Sequence, residues 1–328
     1  MDRRADRRLV SRRRTESTVT VSGLPSTKAA AAAAGDVRAK LLLVVLCVLW
    51  GTTWPVMKIA LEDIPPLSMR TMTAAFGAAT LLVICLVTRR RMRLAGGKAW
   101  GHVFVISILN ISAFSLLSAY AQIAAATSRV TILIYTMPIW TVLLAWAFLR
   151  ERPNARQLLA VALCAAGIAV LIYPLAARGV PFGLLLALAA GLSWGAGTIY
   201  VKWARIDLDP LALAFWQLVI ALIVIASCLL LFDGRLDLGH AHVASLLATL
   251  YAGMIGSGIA FALWFEIVRR LPAATASLGT LGIPVVGVLS TVLIVGEHPT
   301  ATDIFGFALI FAASACVMLA PPARAKAT

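Results

Sequence analysis

A chain of 328 residues that is 61% hydrophobic and only 13% charged falls well below the roughly one-quarter charged residues of a water-soluble protein, which excludes a soluble globular fold and points to a membrane. The net charge of +15 does not mark a nucleic-acid binder, because the basic residues lie in gaps between apolar runs and are not interleaved with aromatics on one polar domain. Cys47, Cys85, Cys164, Cys228 and Cys316 are odd in number, sit inside apolar runs and form no CxxC pair, so they read as small buried side chains at helix interfaces and not as a disulfide, redox or metal set.

Residues 1–38 are rich in Arg, Ser, Thr and Ala, with Arg3, Arg4, Arg7, Arg8, Arg12, Arg13 and Arg14 at the start and no apolar core. Such a segment cannot bury enough surface to fold alone and is expected to be a disordered cytoplasmic tail. A transit peptide is the alternative, against which Asp2, Asp6 and Glu16 count. Apolar runs follow at about 41–60, 67–88, 102–122, 129–149, 157–175, 182–203, 210–232, 242–268, 273–295 and 302–320. At about 1.5 Å per residue each can cross roughly 30 Å of hydrocarbon. Ten crossings put both termini on one side. The basic residues cluster in the tail, at Arg89, Arg90, Arg91, Arg93 and Lys98, at Arg150, Arg152 and Arg156, at Lys202 and Arg205, at Arg269 and Arg270, and at Arg324 and Lys326. The opposite loops hold Arg129, Arg178 and Arg235. The positive-inside bias therefore predicts cytoplasmic termini, in the plasma (inner) membrane if the source is bacterial.

An internal repeat cuts across these runs. Pro138, Glu151 and Pro153 recur as Pro284, Glu297 and Pro299, each displaced by 146 residues. Trp50-Gly51 and Lys58 recur as Trp194-Gly195 and Lys202, displaced by 144. Each copy holds five spans, so the second enters the membrane from the opposite side. The expected fold is an all-α membrane protein of ten helices in two inverted repeats, residues 39–175 and 176–322, followed by a short tail, 323–328. Secondary transporters use that architecture for alternating access.

The pattern resembles the EamA family of the drug/metabolite transporter superfamily. Trp50-Gly51 with Lys58, Pro65-Pro66 followed by Arg70, Pro138 through Glu151-Arg152 and the small-residue stretch Ala160 to Gly167 carry it in the first copy. Trp194-Gly195, Lys202, Pro210, Pro284, Glu297 and Gly306 carry it in the second. Gln217 departs from it, standing near where an arginine like Arg70 would be repeated. The resemblance implies two five-helix repeats and export of amino acids, related metabolites or drugs.

Candidate residues follow from what hydrocarbon tolerates. Pro55, Pro138 and Pro284 lie in or near the middle of spans, where a missing N–H bends a helix; the paired Pro138 and Pro284 are hinge or gate candidates, against a reading in which they only shape packing. Trp50, Trp54, Asn110, Tyr120, Gln122, Tyr135, Trp194, Tyr200, Tyr251 and Trp264, with Trp140 and Trp216, can line a central solute cavity. The alternative for Trp and Tyr is anchoring at the interface, and for Asn110 an interhelical hydrogen bond. Arg70 can pair with Glu62 or Asp63 or hold an anionic solute group at the outer mouth. Lys58 can snorkel to the interface, and Glu266 can meet Arg269 or Arg270. Gly191 and Gly195 form a GxxxG pair that favours close packing within the bundle, with a homodimer as the alternative.

No Asp, Glu or His falls near the middle of a span, so nothing argues for a proton relay. No GxxxxGK[ST] loop is present and no residue pattern calls for a cofactor or metal. Asp207-Leu-Asp209 and His240-Ala-His242 are the sole enzyme-like clusters and read as solvated loops. The expected partners are a small-molecule solute and the lipid bilayer. A membrane-embedded enzyme and a non-transporting scaffold are the competing classes.

Overall fold

A computed structural model describes residues 27–94, 96–176, 181–270, 280 and 282–318, with the side chains of 27–37, 39, 175–176, 268–270 and 317–318 outside the description. Among the described residues the chain is helical, with no strands. The first helix, α1 (Thr27–Asp63), begins inside the stretch expected to be a tail, where the alanine run 29–34 favours helix. Then come α2 (Pro66–Val87), α3 (Gly97–Ser107), a π-helical segment π1 (Ile108–Ala113) and α4 (Phe114–Ala124). The short α5 (Thr127–Ile134) and α6 (Met137–Leu149) are followed by α7 (Ala155–Ala176), α8 (Phe182–Ala204) and α9 (Pro210–Phe232). Beyond α10 (Val243–Tyr251), a second π segment π2 (Ala252–Ile259) and α11 (Ala260–Arg270) lie α12 (Gly282–Val295) and α13 (Ala301–Met318).

Eight stretches of the described residues are long and apolar enough to cross a membrane: Lys40–Asp63, Pro66–Val87, Gly97–Ala124, Thr127–Leu149, Ala155–Pro174, Phe182–Ala204, Pro210–Phe232 and Val243–Ile267. Gly282–Val295 and Ala301–Cys316 are shorter apolar helices. The first part of the run expected over 273–295 lies outside the described residues.

Local chemistry sets the helix ends. Asn154 and Gln157 form a reciprocal capping box at the start of α7, the Asn154 N–H donating to Gln157 Oε1 (2.8 Å) and the Gln157 N–H to Asn154 Oδ1 (2.9 Å). Thr300 and Asp303 do the same for α13, at 2.9 Å and 3.2 Å. These residues are again 146 apart. Left-handed residues close α6 at Arg150 (φ 56°) and follow α12 at Gly296 (φ 74°), the same displacement once more; the first pays a steric cost that glycine avoids.

The helices pack in crossing pairs. α1 lies against α12 and against α10 and α11, while α8 lies against α5 and α6 and against π1 and α4. α2 packs on α9 and π2, and α7 packs on α13. Small residues make these approaches possible. A Cβ on Gly167 of α7 would stand 2.7 Å from Ile310 Cγ1, and one on Gly306 of α13 would stand 2.7 Å from Leu171.

Candidate functional site in the centre of the bundle

A π turn carries one residue too many, so backbone carbonyls lose their regular partners and can accept from neighbouring helices. Both π segments are used this way. Trp50 Nε1 on α1 donates to Gly256 O in π2 (3.0 Å), and Ser193 Oγ on α8 donates to Leu109 O in π1 (2.7 Å). Around these bonds the aromatics converge. Trp50 packs against Phe261 (centroids 5.8 Å apart) and Trp264 (6.1 Å) of α11. Trp194 packs edge-on against Phe114 of α4 (4.8 Å) and stacks on Phe261 (6.5 Å). The Thr52 and Tyr251 hydroxyls share a hydrogen bond of 2.8 Å. The structure thus gathers Trp50, Trp194, Tyr251 and Trp264 from three separate spans.

A polar layer lies toward the end of the bundle that holds Asp63 and Glu297. Arg70 is 7% exposed. Its Nη2 donates to Ser118 Oγ (2.8 Å), whose hydroxyl in turn donates to Ser115 O (3.0 Å). The Arg70 Nε–H is buried and has no acceptor among the described residues. One turn further along α4, Gln122 Nε2 donates to Trp54 O (3.0 Å), leaving its Oε1 buried without a donor among the described residues. Trp54 meets Tyr135 edge-on at 6.3 Å. The alternative pairing of Arg70 with Glu62 or Asp63 is not made; Asp63 accepts instead from Ser245 Oγ and from the exposed His242 Nδ1 (2.9 Å) at the start of α10.

The span holding Pro138 is broken at Tyr135 and Thr136, which separate α5 from α6. Pro138 is the second residue of α6 and Pro284 the third of α12, first-turn positions where a missing N–H costs nothing. Pro55 lies within α1. Groups freed at the breaks find partners on other helices: Ser314 Oγ donates to Tyr135 O (3.3 Å). Gly191 presses on the same break, where its Cβ would stand 2.9 Å from Ile134 O, and Gly195 faces Trp140 and Met137 O. The GxxxG pair is therefore spent on packing within the bundle. Glu297 takes the Thr127 and Ser128 N–H groups on its two oxygens (2.6 and 3.0 Å), capping α5 across the break after α12. Glu151 instead pairs with Lys202 (2.6 Å).

Other candidates lie away from this centre. Tyr120 is 37% exposed and lines an apolar surface groove of about 270 Å³ between α4 and α8, with Leu117, Ile123, Phe182 and Leu186. Tyr200 bonds His102 Nδ1 (2.9 Å) and packs on Trp203. Asn110 makes no interhelical bond among the described residues; its amide fills the space where a Cβ on Gly197 would stand. Trp140 Nε1 donates to Thr136 Oγ1 (3.0 Å), and Trp216 Nε1 to Met92 O (2.9 Å). Sequence reasoning passed over Phe114, Ser118, Ser193 and Phe261. The glycine cluster Gly253, Gly256 and Gly258, close to these groups, falls within π2.

Asp209 and His242, the enzyme-like pairs' better-placed members, are bound to Arg90 (3.1 Å) and Asp63. Among the described residues no group of three or more His, Cys, Asp or Glu can hold a metal.

Long apolar helices wrapped round an aromatic and polar interior make this a multi-pass membrane protein. The chain belongs to the EamA-like transporter family, which it matches over residues 37–173 and again over 181–319. An Escherichia coli (strain K12) protein named as a probable amino-acid metabolite efflux pump is 26% identical over 281 residues, 82% of this chain and 91% of that protein. A Bacillus subtilis (strain 168) protein, the uncharacterized transporter YoaV, is 23% identical over 278 residues, 84% of this chain and 94% of that one. A solved crystal structure at 23% identity shares the fold, with a TM-score of 0.60 over 85% of this chain and 96% of the other.

Proposed function

We propose that the protein is a secondary transporter that exports small metabolites such as amino acids, or drugs, by alternating access between two inverted five-helix repeats, residues 39–175 and 176–322. Ten spans and cytoplasmic termini go with this reading. The observation that carries it is the pairing of the π segments. π1 starts at Ile108 and π2 at Ala252, 144 residues apart, the same displacement that relates Trp50 to Trp194. Each π segment is bonded by the first helix of the other half, π2 by α1 and π1 by α8. The contact of α1 with α12 matches that of α8 with α6. Two halves that hold each other through equivalent contacts can exchange conformations and open the centre to one side or the other.

In this scheme the solute lies between Trp50, Trp54, Tyr135, Trp194, Tyr251 and Trp264, and Arg70 receives its anionic group. A buried guanidinium with one neutral partner and a free N–H among the described residues is costly in hydrocarbon, by about 2.5–3.5 kcal/mol on insertion scales, and a solute carboxylate offsets that cost with charge-assisted bonds. Pro138 and Pro284 start the half-helices that swing. The printed name of the Escherichia coli relative supports amino-acid metabolites as the first solutes to try.

The test compares extracellular and intracellular metabolites in cells with and without overexpression, followed by uptake of the labelled compound into vesicles containing purified protein. A compound that accumulates outside with the native chain and not with Arg70→Ala supports the reading. Purified protein that binds its solute and moves none would make it a scaffold, and a solute returned chemically altered would make it an enzyme.

A further inference from the structure

A second site lies at the other end of α2 from Arg70. There α2 closes on Arg89, left-handed at φ 51°, with the Arg89 and Arg90 N–H groups donating back to Leu86 O (3.1 Å) and Cys85 O (2.9 Å). From Arg89 to Leu94 the residues alternate between exposed and half-buried. The half-buried members hold the loop to the protein: Arg90 Nη1 pairs with Asp209 Oδ2 (3.1 Å), and Met92 O accepts from Trp216 Nε1 (2.9 Å). The exposed members Arg89, Arg91 and Arg93 are left on the water side of a pinned segment. Together with Arg90, Asp207 and Asp209 they line a cleft of about 550 Å³ between the end of α2 and the start of α9.

The charge of that cleft does not cancel. Asp209 is committed twice, to Arg90 and to the N-terminus of α9, where it accepts from the Leu211 N–H (2.9 Å). Arg89, Arg91 and Arg93 then face Asp207 alone, and among the described residues none of the three arginines is in an ion pair. Directly below them, on the last turns of α2, Val83, Leu86 and Val87 are 59%, 62% and 77% exposed, as befits side chains that face acyl chains. A cationic cleft beside an exposed apolar stretch of the same helix matches the two halves of one molecule.

We propose that this cleft binds the headgroup of an anionic phospholipid, its phosphate held by Arg89, Arg91 and Arg93 and its acyl chains laid along Val83, Leu86 and Val87. The lipid sits where α2 meets α9, so it braces the contact between the two halves. The proposal needs the chain to span a membrane and is independent of which solute it carries.

The experiment is native mass spectrometry of the purified full chain released from detergent, titrated with phosphatidylglycerol and, in parallel, with phosphatidylcholine. The native chain should retain phosphatidylglycerol in a saturable 1:1 adduct and phosphatidylcholine far more weakly. The triple variant Arg89→Gln/Arg91→Gln/Arg93→Gln should weaken phosphatidylglycerol retention on the order of 100-fold, at roughly the increment expected for each basic residue near an anionic surface. The charge-matched variant Arg150→Gln/Arg152→Gln/Arg205→Gln should retain it like the native chain. If the triple variant does not fold, Asp207→Asn serves instead and should tighten retention several-fold. Competition by inorganic phosphate at low millimolar concentration would make the site one for a free anion and overturn the lipid assignment. Equal loss in the two triple variants would overturn it too, as a bulk-charge effect.

Discussion

The bond network between Arg129 and Asp303 carries a prediction with a definite size. Asp303 stands at the start of α13 with its side chain 6% exposed, and Arg129 on α5 is 22% exposed. The pair is bidentate, Arg129 Nε to Oδ1 at 2.7 Å and Nη2 to Oδ2 at 3.0 Å, and Oδ2 also accepts from the Thr300 N–H (2.9 Å) and hydroxyl (2.8 Å). Replacing Asp303 by Ala removes a charge partner from a largely buried arginine, which costs about 3–5 kcal/mol. It also removes half of the capping box, another ~1 kcal/mol. Arg129→Ala leaves Asp303 its two Thr300 donors, so it should cost less, about 2–3 kcal/mol, as expected for lost charge-assisted bonds. The double variant should be hardly worse than Asp303→Ala alone, giving a coupling of about 2 kcal/mol in a double-mutant cycle. Unfolding of all four proteins in mixed detergent micelles, followed by far-UV circular dichroism, measures this. Additivity within about 0.5 kcal/mol would refute the argument, because residues that share no interaction add.

Three further outcomes follow from single contacts. Gly51→Ala places a Cβ 2.6 Å from Val286 Cγ1 and 3.1 Å from the Gly287 N, so it should destabilise by about 1–3 kcal/mol; Gly101→Ala, with nothing within 4 Å, is the control and should change thermal unfolding little. Pro138→Ala should leave protein level and insertion unchanged and lower vesicle transport, since Pro138 sits in the first turn of α6; normal transport would remove its hinge role. The displacements of 146 and 144 relate Glu151 to Glu297 and Lys202 to Lys58, so exchange of the two halves should replace the Glu151–Lys202 pair with one between Glu297 and Lys58; the cysteine pair Lys58→Cys/Glu297→Cys should cross-link in membranes under turnover, and failure to do so beside a cross-linking Glu151→Cys/Lys202→Cys pair would count against exchange.

The helical, membrane-spanning character of the fold was legible because hydrocarbon imposes length and apolarity on each segment, and Thr127–Leu149 or Pro210–Phe232 could hardly read otherwise. The duplicated Glu-x-Pro frame was legible as a repeat, and its next residues prove to be capping boxes, Asn154 with Gln157 and Thr300 with Asp303, which the sequence reading did not anticipate. The π segments were not legible. Their extra residue is stabilised by donors more than eighty residues away, Ser193 for Leu109 and Trp50 for Gly256, and no local pattern encodes such a partner. The same holds for Arg70, whose neighbours in sequence, Glu62 and Asp63, suggested carboxylate pairing, whereas burial turned it toward Ser118 on α4. Tyr120 and Tyr200 share composition with the central aromatics and differ in which side of their helix faces the bundle, which periodicity in an all-apolar helix does not resolve.

The two halves of the chain agree in their backbone devices and differ at the buried arginine. The π segments, the capping boxes and the left-handed residues at 150 and 296 recur at a fixed displacement, and all of them shape backbone. The charged positions recur only in part: Glu151 and Glu297, and Lys58 and Lys202, match in kind, whereas Arg70 does not and the matched glutamates bond differently. Arg70 has Gln217 near its counterpart position, 8% exposed, and Glu297 caps α5 while Glu151 bonds a lysine. On the proposed reading, repeats that adopt each other's shape in turn keep their backbone devices matched, since a device present in one copy alone would favour one state permanently. A bound solute has no such symmetry: one end of an amino acid or similar metabolite is anionic and the other is not. On the proposed reading a single guanidinium on one half would meet that demand, and a second at position 217 would bring two like charges into the same dry interior. On the proposed reading, the departure at Gln217 is therefore what lets a symmetric bundle hold an asymmetric solute in one orientation.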